Sequence, residues 1–313
     1  MAILTVTLNP AIDLETTTET VVPGEKLRCV EPVRDPGGGG INVARAVVQL
    51  GGEATALVAA GGPPGAALET MLVARGVPVG RLPAPGEMRQ NLSVIEAATG
   101  RQFRFIFPGP AWTEADLAAV SEALAARVRP GDWVVLSGSL PVGLAEGAYV
   151  DLARGLAGRG ARVVADTSGA ALMALAEARA GLALLRIDFE ESEALAGRAL
   201  GRAEDSADFA ADLVTRGVAD IVILARGAEG SVLAAASERW IAPAADVPVI
   251  SRTGAGDSFV AGTVLALSRD RALPVALQYG VAAASAAVTT PGTDLCTAET
   301  VASLLDLCPP RPI

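Results

Sequence analysis

Short apolar runs alternate with segments of helical period along most of the chain, and this alternation predicts its architecture. Each run is rich in Val, Ile, Leu and Ala, which is typical of strands that are buried on both faces. Strands are predicted at residues 3–8, 54–60, 133–136, 162–165, 182–187, 220–225 and 231–235. Because strands that alternate with helices favour parallel pairing, we expect an α/β fold with a mainly parallel central sheet flanked by helices.

The segments between these runs carry apolar residues at helical spacing. Helices are predicted at residues 41–50, 65–75, 113–127, 170–178, 190–197, 203–216 and 257–269, with one more after residue 141 and two around a turn at 290–293. No internal repeat or low-complexity linker interrupts the pattern, so we expect a single domain that spans residues 1–313.

Two insertions, at about residues 14–36 and 89–107, have a different pattern. Polar and apolar residues alternate in LETTTETVV, EKLRCVEPV, RQNLSVIEA and RQFRFIF. Alternation of this kind predicts strands with one wet face, and the turn at residues 98–100 indicates a hairpin. The two insertions are therefore expected to pair into a small antiparallel sheet.

Composition restricts the chemistry. Only 4% of the 313 residues are aromatic although 51% are hydrophobic, so the core is expected to consist mainly of Ala, Val and Leu. The net charge of -10 argues against nucleic acid or an anionic membrane surface as a partner. The chain has no histidine, which excludes His-based triads and imidazole acid/base catalysis. Carboxylates and backbone amides remain as the chemical groups.

The cellular setting is expected to be the cytoplasm. No Lys or Arg precedes the first short apolar run, so the N-terminus does not resemble a signal peptide, and no apolar stretch reaches the roughly 20 residues that span a bilayer. Cys29, Cys296 and Cys308 show no CxxC spacing, which indicates reduced thiols rather than a disulfide framework.

A glycine-containing turn at residues 253–257, TGAGD, begins the apolar segment 257–269. The N-terminus of a helix binds anions, and Asp257 places a carboxylate beside it. Amide donors next to a proton-accepting carboxylate suggest phosphoryl transfer. An ordinary helix start with Asp257 as its cap explains the same residues.

A second glycine run, at residues 37–40, begins a helix with Asn42 in its first turn. Consecutive glycines let a ligand approach the backbone closely, although they also serve as flexible connectors. The two insertions carry four cations in an acidic chain: Lys26, Arg28, Arg89 and Arg104. Such a concentration suggests an anionic ligand below the small sheet, and a solvated strand face is the alternative.

Taken together, these motifs resemble the ribokinase-type (phosphofructokinase B) sugar kinase family, over essentially the full chain and in the same order. The resemblance is greatest to its 6-phosphofructokinase branch, through EKLRC, PGGGGINVARA, RQNL and SGSLP. It implies a large α/β domain covered by a small β-sheet lid, and a homodimer formed through that lid.

The resemblance also assigns roles on the sugar side of the site. Asp257 matches the catalytic base, and Gly254, Ala255 and Gly256 match the anion hole. Groups that hold the sugar hydroxyls are matched by Asp13, Gly38, Gly39 and Asn42. Contacts to the sugar and its phosphate are matched by Lys26, Arg89, Arg104 and Ser139. Many relatives that act on other phosphosugars have Lys at the position of Gly39, which favours fructose 6-phosphate.

On the nucleotide side the resemblance implies ATP with Mg²⁺, and it assigns Asp188, Glu191, Gly227 and Arg252, with Glu191 acting on the metal indirectly. A monovalent cation, K⁺, would be held by carbonyls at Ser251, Thr253 and Gly292. This chain departs from the family at several positions: Asp188 for Asn, Arg186-Ile187 for Lys-Pro, Ala225 for Ser or Thr, and Arg252 for a small polar residue. Arg252 would either offset the charge of Asp188 or face solvent.

The expected reaction is the ATP-dependent phosphorylation of fructose 6-phosphate at its 1-hydroxyl to fructose 1,6-bisphosphate, a step of glycolysis. Two alternatives stay open at this point. In the first, the protein is a kinase for another substrate, such as tagatose 6-phosphate, fructose 1-phosphate or a nucleoside. In the second, it is a non-catalytic sensor that binds a sugar phosphate.

Overall fold

Fourteen strands and ten α-helices make up the computed structural model, which describes all residues from Met1 to Ile313. The strands are β1 (Ile3–Thr7), β2 (Ala11–Thr18), β3 (Val33–Gly37), β4 (Ala54–Val58), β5 (Val79–Arg81), β6 (Arg89–Glu96), β7 (Gln102–Phe105), β8 (Trp133–Ser137), β9 (Arg162–Asp166), β10 (Leu182–Ile187), β11 (Ala219–Ala225), β12 (Ser231–Ala235), β13 (Arg239–Ala242) and β14 (Arg311–Pro312). The helices are α1 (Gly39–Gln49), α2 (Gly62–Ala74), α3 (Glu114–Arg127), α4 (Ala148–Ala157), α5 (Gly169–Glu177), α6 (Phe189–Ala196), α7 (Ala203–Thr215), α8 (Ala255–Ser268), α9 (Leu273–Ala287) and α10 (Ala298–Leu304).

Ten of the strands form the central sheet, in the order β14-β13-β12-β11-β10-β9-β8-β1-β4-β5. The seven strands from β11 to β5 pair in parallel, and β12, β13 and β14 extend this sheet with antiparallel pairs. The expected α/β fold with a mainly parallel sheet is confirmed. The carboxyl ends of its parallel strands therefore point to one edge, where ligands of such sheets bind.

Helices cover both faces of this sheet, and each face has its own apolar cluster. Helices α1, α2, α8, α9 and α10 pack on one face, and α3, α4, α5 and α7 pack on the other. Ala, Val and Leu dominate both clusters, as the composition predicts. None of the ten helices combines the length and the apolar character that crossing a bilayer requires.

Three strands of the central sheet were not predicted. Strands β5 and β14 contain only three and two residues, which is too short for a recognisable pattern. Strand β13 has Arg239 and Trp240 among its four residues and lies near the antiparallel edge, where it needs no continuous apolar run. Helix α2 begins at Gly62 rather than at residue 65, because Pro63 and Pro64 fit its first turn.

The insertions form a separate four-stranded sheet, which we call the lid, in the order β3-β2-β6-β7. The expectation of a purely antiparallel sheet is wrong, because the central pair β2 and β6 is parallel. These two strands are the outgoing strands of their insertions, and the returning strands β3 and β7 pair with them in the antiparallel sense. The hairpin β6–β7 turns at residues 98–100 as predicted.

The strand expected at EKLRCVEPV is also wrong. Residues 19–32 form no strand, and part of this irregular segment lies beside the last residues of β2, beyond the end of β3. Hydroxyl groups of β2 satisfy part of its backbone, since Thr16 Oγ1 donates to the Val30 carbonyl at 2.7 Å and Thr18 Oγ1 donates to the Arg28 carbonyl at 3.2 Å. Only Val33–Gly37, at the end of the insertion, pairs as a strand.

Candidate active site

A polar cleft of about 180 Å³ lies at the carboxyl edge of the central sheet, where strands β8, β9 and β10 meet the first turns of α1 and α8. None of the residues that line this cleft is hydrophobic. They are Gly39, Ser137, Gly138, Ser139, Asp166, Thr167, Ser168, Arg186, Asp188, Glu191 and Asp257. Such a lining suits a charged, hydrated ligand better than an apolar one.

Asp257 joins the two glycine-containing motifs. It lies in the first turn of α8, whose N-cap residue is Gly254, and no side chain caps this helix. The interpretation of Asp257 as a helix cap is therefore wrong. Its Oδ2 instead accepts a hydrogen bond of 2.9 Å from Nδ2 of Asn42, which comes from the first turn of α1.

The surroundings of Asp257 raise its pKa to about 7. Burial is the largest cause, and the nearby carboxylate of Asp166 adds to it, since both disfavour the charged form. The hydrogen bond from Asn42 and the positive charges of Arg186 and Arg45 act in the opposite direction. A carboxyl group with a pKa near neutrality is suited to accept a proton at physiological pH.

The first turn of α8 leaves unpaired amides beside this carboxylate. The backbone N–H groups of Gly254, Gly256 and Asp257 donate to no backbone acceptor. Gly254 has a φ of 77°, and a Cβ atom there would lie 2.5 Å from Cδ2 of Leu295, so glycine is required on both counts. The turn thus offers N–H donors and a positive helix end to an anion.

The glycine run before α1 serves close approach rather than flexibility. Gly38 is the N-cap residue of α1, and Gly39 is its first residue. A Cβ atom on Gly39 would clash with Oγ of Ser137 and would lie 2.9 Å from the backbone nitrogen of Gly138. The interpretation of this run as a flexible connector is wrong, because Gly39 and Gly40 begin α1 in close contact with the ends of β8 and β1.

The lid contributes a second group of polar side chains. Asp13 on β2 accepts a hydrogen bond of 2.8 Å at Oδ1 from Nδ2 of Asn91 on β6. Arg89 on β6 donates to the Asn9 carbonyl at 3.1 Å, and Asn9 Nδ2 in turn donates to Oγ of Ser139 at 3.2 Å. These contacts bring Arg89 and Ser139, two of the predicted substrate residues, to the same side of the cleft.

The expectation of four cations on one small sheet is wrong for two of them. Lys26 and Arg28 lie in residues 19–32, outside the sheet, and both are exposed. Arg104 lies on β7 opposite Ser93 of β6, so it shares the lid face of Arg89 and Asn91. No contact in the chain joins Lys26 or Arg104 to the cleft.

Sequence reasoning missed a buried ion pair beside Asp257. Nη1 of Arg186 lies 3.1 Å from Oδ1 of Asp166, and both side chains are mostly buried. Burial lowers the pKa of Arg186, but the attraction of Asp166, Asp188 and Asp257 outweighs it and raises the pKa above its ordinary value. Two features of the sequence pointed to these residues: Asp166 follows a predicted strand, and Arg186 occupies a position where the family has Lys.

Asn91 and Arg45 were missed as well. Asn91 stands inside the quoted RQNL motif, two residues after Arg89, so strand alternation already placed both on one face. Arg45 is only 4% exposed on α1 and donates to Oδ1 of Asn42 at 3.1 Å. The sequence did indicate Arg45, because it is a cation on the side of a predicted helix that should be apolar.

On the predicted nucleotide side, Asp188 and Glu191 line the cleft. Asp188 is the N-cap residue of α6, and its Oδ1 accepts from the backbone N–H of Glu191 at 2.9 Å. Burial and the adjacent Asp188 raise the pKa of Glu191 to about 7. Arg186 partly offsets the negative charge of these two carboxylates, and a bound positive charge would stabilise their ionised forms further.

Other predicted nucleotide residues are not brought to the cleft. Arg252 is exposed and forms no ion pair with Asp188, so it faces solvent. Gly227 follows β11 at the start of a short exposed 3₁₀ turn. The three predicted cation positions do come together, since Oγ of Ser251 donates to the Gly292 carbonyl and accepts from the Thr253 N–H, each at 3.1 Å.

Comparison with known proteins agrees with this arrangement. Residues 5–300 match the pfkB family carbohydrate kinase description. This chain belongs to the pfkB family of carbohydrate kinases. The family that its motifs resemble is thereby confirmed, and the chain is an enzyme of the kinase class.

Among pfkB relatives, ATP-dependent 6-phosphofructokinase isozyme 2 of Escherichia coli (strain K12) is 40% identical over 94% of this chain and 94% of its own length. The protein of the same name from Mycobacterium tuberculosis (strain ATCC 25618 / H37Rv) is 37% identical over 97% of this chain and 89% of its own length. A 1-phosphofructokinase of Xanthomonas campestris pv. campestris is 36% identical over 85% of this chain and 84% of its own length.

Solved structures of phosphofructokinase-2 from Escherichia coli share 36% sequence identity with this pfkB-family chain, and they cover 98% of it and 98% of their own chains. Its complex with potassium has a TM-score of 0.91, its complex with fructose-6-phosphate 0.89, and its tetrameric inhibited form 0.88. This chain therefore has the same architecture as phosphofructokinase-2 from Escherichia coli, including the separate small sheet.

Proposed function

We propose that the protein transfers the γ-phosphoryl group of ATP to the 1-hydroxyl group of fructose 6-phosphate, giving fructose 1,6-bisphosphate and ADP. The observation that carries the proposal is the Asp257 carboxylate beside the unpaired amides of α8 and in contact with Asn42 of the glycine-rich helix. The 40% identity to a 6-phosphofructokinase supports the choice of substrate.

In this proposal Asp257 is the general base. The hydroxyl oxygen of the sugar forms a bond to the γ-phosphorus while the bond from that phosphorus to the β,γ-bridging oxygen breaks and ADP leaves with the electron pair. The hydroxyl proton passes to the Asp257 carboxylate. Its pKa of about 7 leaves a substantial ionised fraction at neutral pH.

Two kinds of group would stabilise the negative charge that develops on the transferred phosphoryl group. The free N–H groups of Gly254 and Gly256 and the positive end of α8 would stabilise it at the helix terminus. The Arg186 guanidinium lies against Gly256, since a Cβ atom there would be 3.2 Å from Nη1. Its permanent positive charge would remain close to the reacting phosphoryl group.

Sugar recognition falls to the lid and the edge of the sheet. Asp13, oriented by Asn91, and Asn42 would accept and donate hydrogen bonds to the sugar hydroxyl groups. Arg89, Arg104 and Lys26 would contact the phosphate, together with Ser139, which lines the cleft. Because no Lys occupies position 39, nothing there would favour a phosphate at the other end of the sugar, and this supports fructose 6-phosphate.

The chain's donors fit a magnesium ion that is held mainly by the nucleotide. No three potential ligands cluster into a metal cage, whereas Mg²⁺ typically uses one or two carboxylates together with phosphates and water. Glu191 and Asp188 are the oxygen donors that would hold it through water. When bound, it neutralises charge on the phosphates. The loops at Ser251, Thr253 and Gly292 would hold K⁺ through carbonyl oxygens.

We further propose a homodimer that forms through the lid. Apolar side chains that are about half exposed or more lie on both edge strands of the lid and on the segment after β7, namely Val33, Phe105, Ile106 and Phe107. Strands β3 and β7 are unpaired edges, and exposed apolar side chains at such edges favour protein contacts. Because ATP and sugar phosphates are intracellular metabolites, the proposed location is the cytoplasm.

The test is a coupled ADP-release assay over a panel of acceptors: fructose 6-phosphate, tagatose 6-phosphate, fructose 1-phosphate, fructose and a nucleoside. The proposal expects the highest kcat/KM for fructose 6-phosphate. A higher value for fructose 1-phosphate would assign the chain to the 1-phosphofructokinase activity instead. Calorimetric binding of fructose 6-phosphate without ATP binding or ADP release would show a sensor, and would refute the proposed reaction.

A further inference from the structure

A single buried cation on α1 contacts the residue that holds the proposed base. Arg45 is 4% exposed, and it is the only charged residue among the buried positions of α1. Its Nη1 donates to Oδ1 of Asn42 at 3.1 Å and to the Pro36 carbonyl of lid strand β3 at 3.4 Å. Burying a guanidinium costs free energy unless it is bonded, so its position calls for a function.

The direction of the Asn42 amide matters for Asp257. An asparagine side chain presents an oxygen acceptor at one end and an N–H₂ donor at the other. The donor end must face the carboxylate, because the acceptor end would repel it. Arg45 carries only donors, and by occupying Oδ1 it leaves Nδ2 directed at Oδ2 of Asp257, 2.9 Å away.

Carboxylates from the lid and from two other segments surround the Arg45 guanidinium. Its positive charge is attracted by Asp35 of β3, by Asp294 after α9 and by Asp257 of α8. Asp35 itself pairs at 2.8 Å with Arg75, the C-cap residue of α2, and accepts from Thr293 Oγ1 at 2.8 Å. The base of the lid, the 290–294 loop and the first turn of α8 therefore meet around one guanidinium.

We propose that Arg45 is a positioning residue, which orients the Asn42 amide and thereby holds the Asp257 carboxylate in its reactive geometry. This inference rests on the proposed function, since it assigns Asp257 the role of base. Arg45 lies behind Asn42, and it is Asn42 that contacts the carboxylate. Its effect on turnover must therefore pass through Asn42.

The test is a double-mutant cycle on kcat with Arg45→Met, Asn42→Ala and the double variant. Misplacement of a reacting group by about 1 Å costs up to roughly 100-fold, so we expect Arg45→Met to lower kcat by about 10- to 100-fold. In the Asn42→Ala background the same change should alter kcat by less than about twofold. Effects that multiply in the double variant would overturn the proposal, because loss of packing or of through-space charge would persist without Asn42.

Two further variants separate positioning from folding. Arg45→Lys retains a donor and a charge, and we expect it to recover at least about threefold of the kcat lost in Arg45→Met. Arg75→Met is the matched control, because it removes a neighbouring cation that has no contact with Asn42, and kcat should stay within about twofold of wild type. If Arg45→Met does not fold, Arg45→Lys in both backgrounds completes the cycle.

A crystal structure, which needs no turnover, tests the positioning role of Arg45 separately from the proposed kinase function. If wild type phosphorylates no acceptor of the panel, the proposed function fails, and a crystal structure of the Arg45 variant then tests the inference alone. In that structure we expect the Asn42 amide to rotate, so that the contact from Nδ2 to Asp257 Oδ2 is lost. An unchanged distance of 2.9 Å in the Arg45→Met crystal would refute the positioning role.

Discussion

At the scale of single residues, the charge state of Asp257 controls the proposed reaction. Its carboxyl group lies in a buried turn, where Asp166 from β9 repels a second negative charge. Asn42 and Arg45 from α1 and Arg186 from β10 favour the ionised form. The balance leaves the pKa at about 7 rather than near the ordinary value of an aspartate.

This balance predicts the pH dependence of catalysis. A general base acts only when it is deprotonated, so kcat/KM should fall about tenfold per pH unit below an acid limb near pH 7. Because the Asn42 amide stabilises the ionised form, Asn42→Ala should move this limb to higher pH. The measurement is the pH profile of kcat/KM for each variant.

The matched control is Asn91→Ala, which removes an amide that contacts Asp13 but not Asp257. Its limb should coincide with that of wild type even if its kcat/KM is lower. An acid limb below pH 5 in wild type, or an unmoved limb in Asn42→Ala, would contradict the assignment of Asp257 as the titrating base.

At the scale of elements, helix α8 must be held in place for its first turn to serve the cleft. It packs along α9 through small residues on both helices. A Cβ atom on Gly262 of α8 would lie 2.6 Å from the Tyr279 carbonyl, and one on Gly280 of α9 would clash with Oγ1 of Thr263. The close approach of the two helices therefore depends on these glycines.

The variant Gly280→Ala tests this packing. Overfilling a well-packed interface typically costs about 1–3 kcal/mol, and we expect the free energy of unfolding to fall by that amount. The control is Gly155→Ala on α4, where an added Cβ meets nothing within 4 Å. That change should be neutral or stabilise the protein by up to about 1 kcal/mol.

Urea denaturation of both variants provides the measurement. Equal stability of Gly280→Ala and wild type would show that α8 and α9 separate without cost, and the account of how the first turn of α8 is positioned would then be wrong.

Prediction from sequence succeeded where local signals are strong and failed where pairing is non-local. The apolar runs of β1, β8, β9 and β10 were sufficient to predict a parallel sheet, because only buried strands combine such runs with flanking turns. The parallel pairing of β2 with β6 was missed, since it joins segments far apart in the chain.

Prediction of the site residues succeeded and failed for the same reasons. Asp257 and Asn42 were identified because each belongs to a glycine-rich turn at the start of a helix. Asp166 and Arg186 were missed because a polar residue at the end of a strand is common, and only the folded sheet brings these two within 3.1 Å. Lys26 and Arg28 were wrongly placed on the lid sheet because an alternating pattern does not reveal whether a strand finds a partner.

At the scale of the whole molecule, the lid carries both substrate residues and exposed apolar side chains. One face carries Asp13, Asn91 and Arg89 toward the cleft. The outer strands and the segment after β7 expose the apolar side chains of Val33, Phe105, Ile106 and Phe107. A second lid that covers these side chains would link assembly to the position of the substrate residues.

Charged residues in place of these apolar side chains should therefore dissociate the protein. We expect the double variant Val33→Lys/Phe105→Lys to have the mass of a single chain by light scattering, and wild type to have twice that mass. The control Val142→Lys alters an apolar residue of similar exposure, 57%, outside the lid and should leave the mass unchanged. A monomeric wild type, or an unchanged mass in the double variant, would refute dimerisation through the lid.

The kcat of Asp257→Asn with fructose 6-phosphate and ATP decides whether this pfkB-family chain is a sugar-phosphate kinase with Asp257 as its base. We expect a kcat that is about 10²- to 10⁴-fold below that of wild type, with a KM for the sugar within about threefold. Asp212→Asn, the same change at an exposed position on α7, should retain wild-type turnover. Turnover of Asp257→Asn at the wild-type rate would contradict the account.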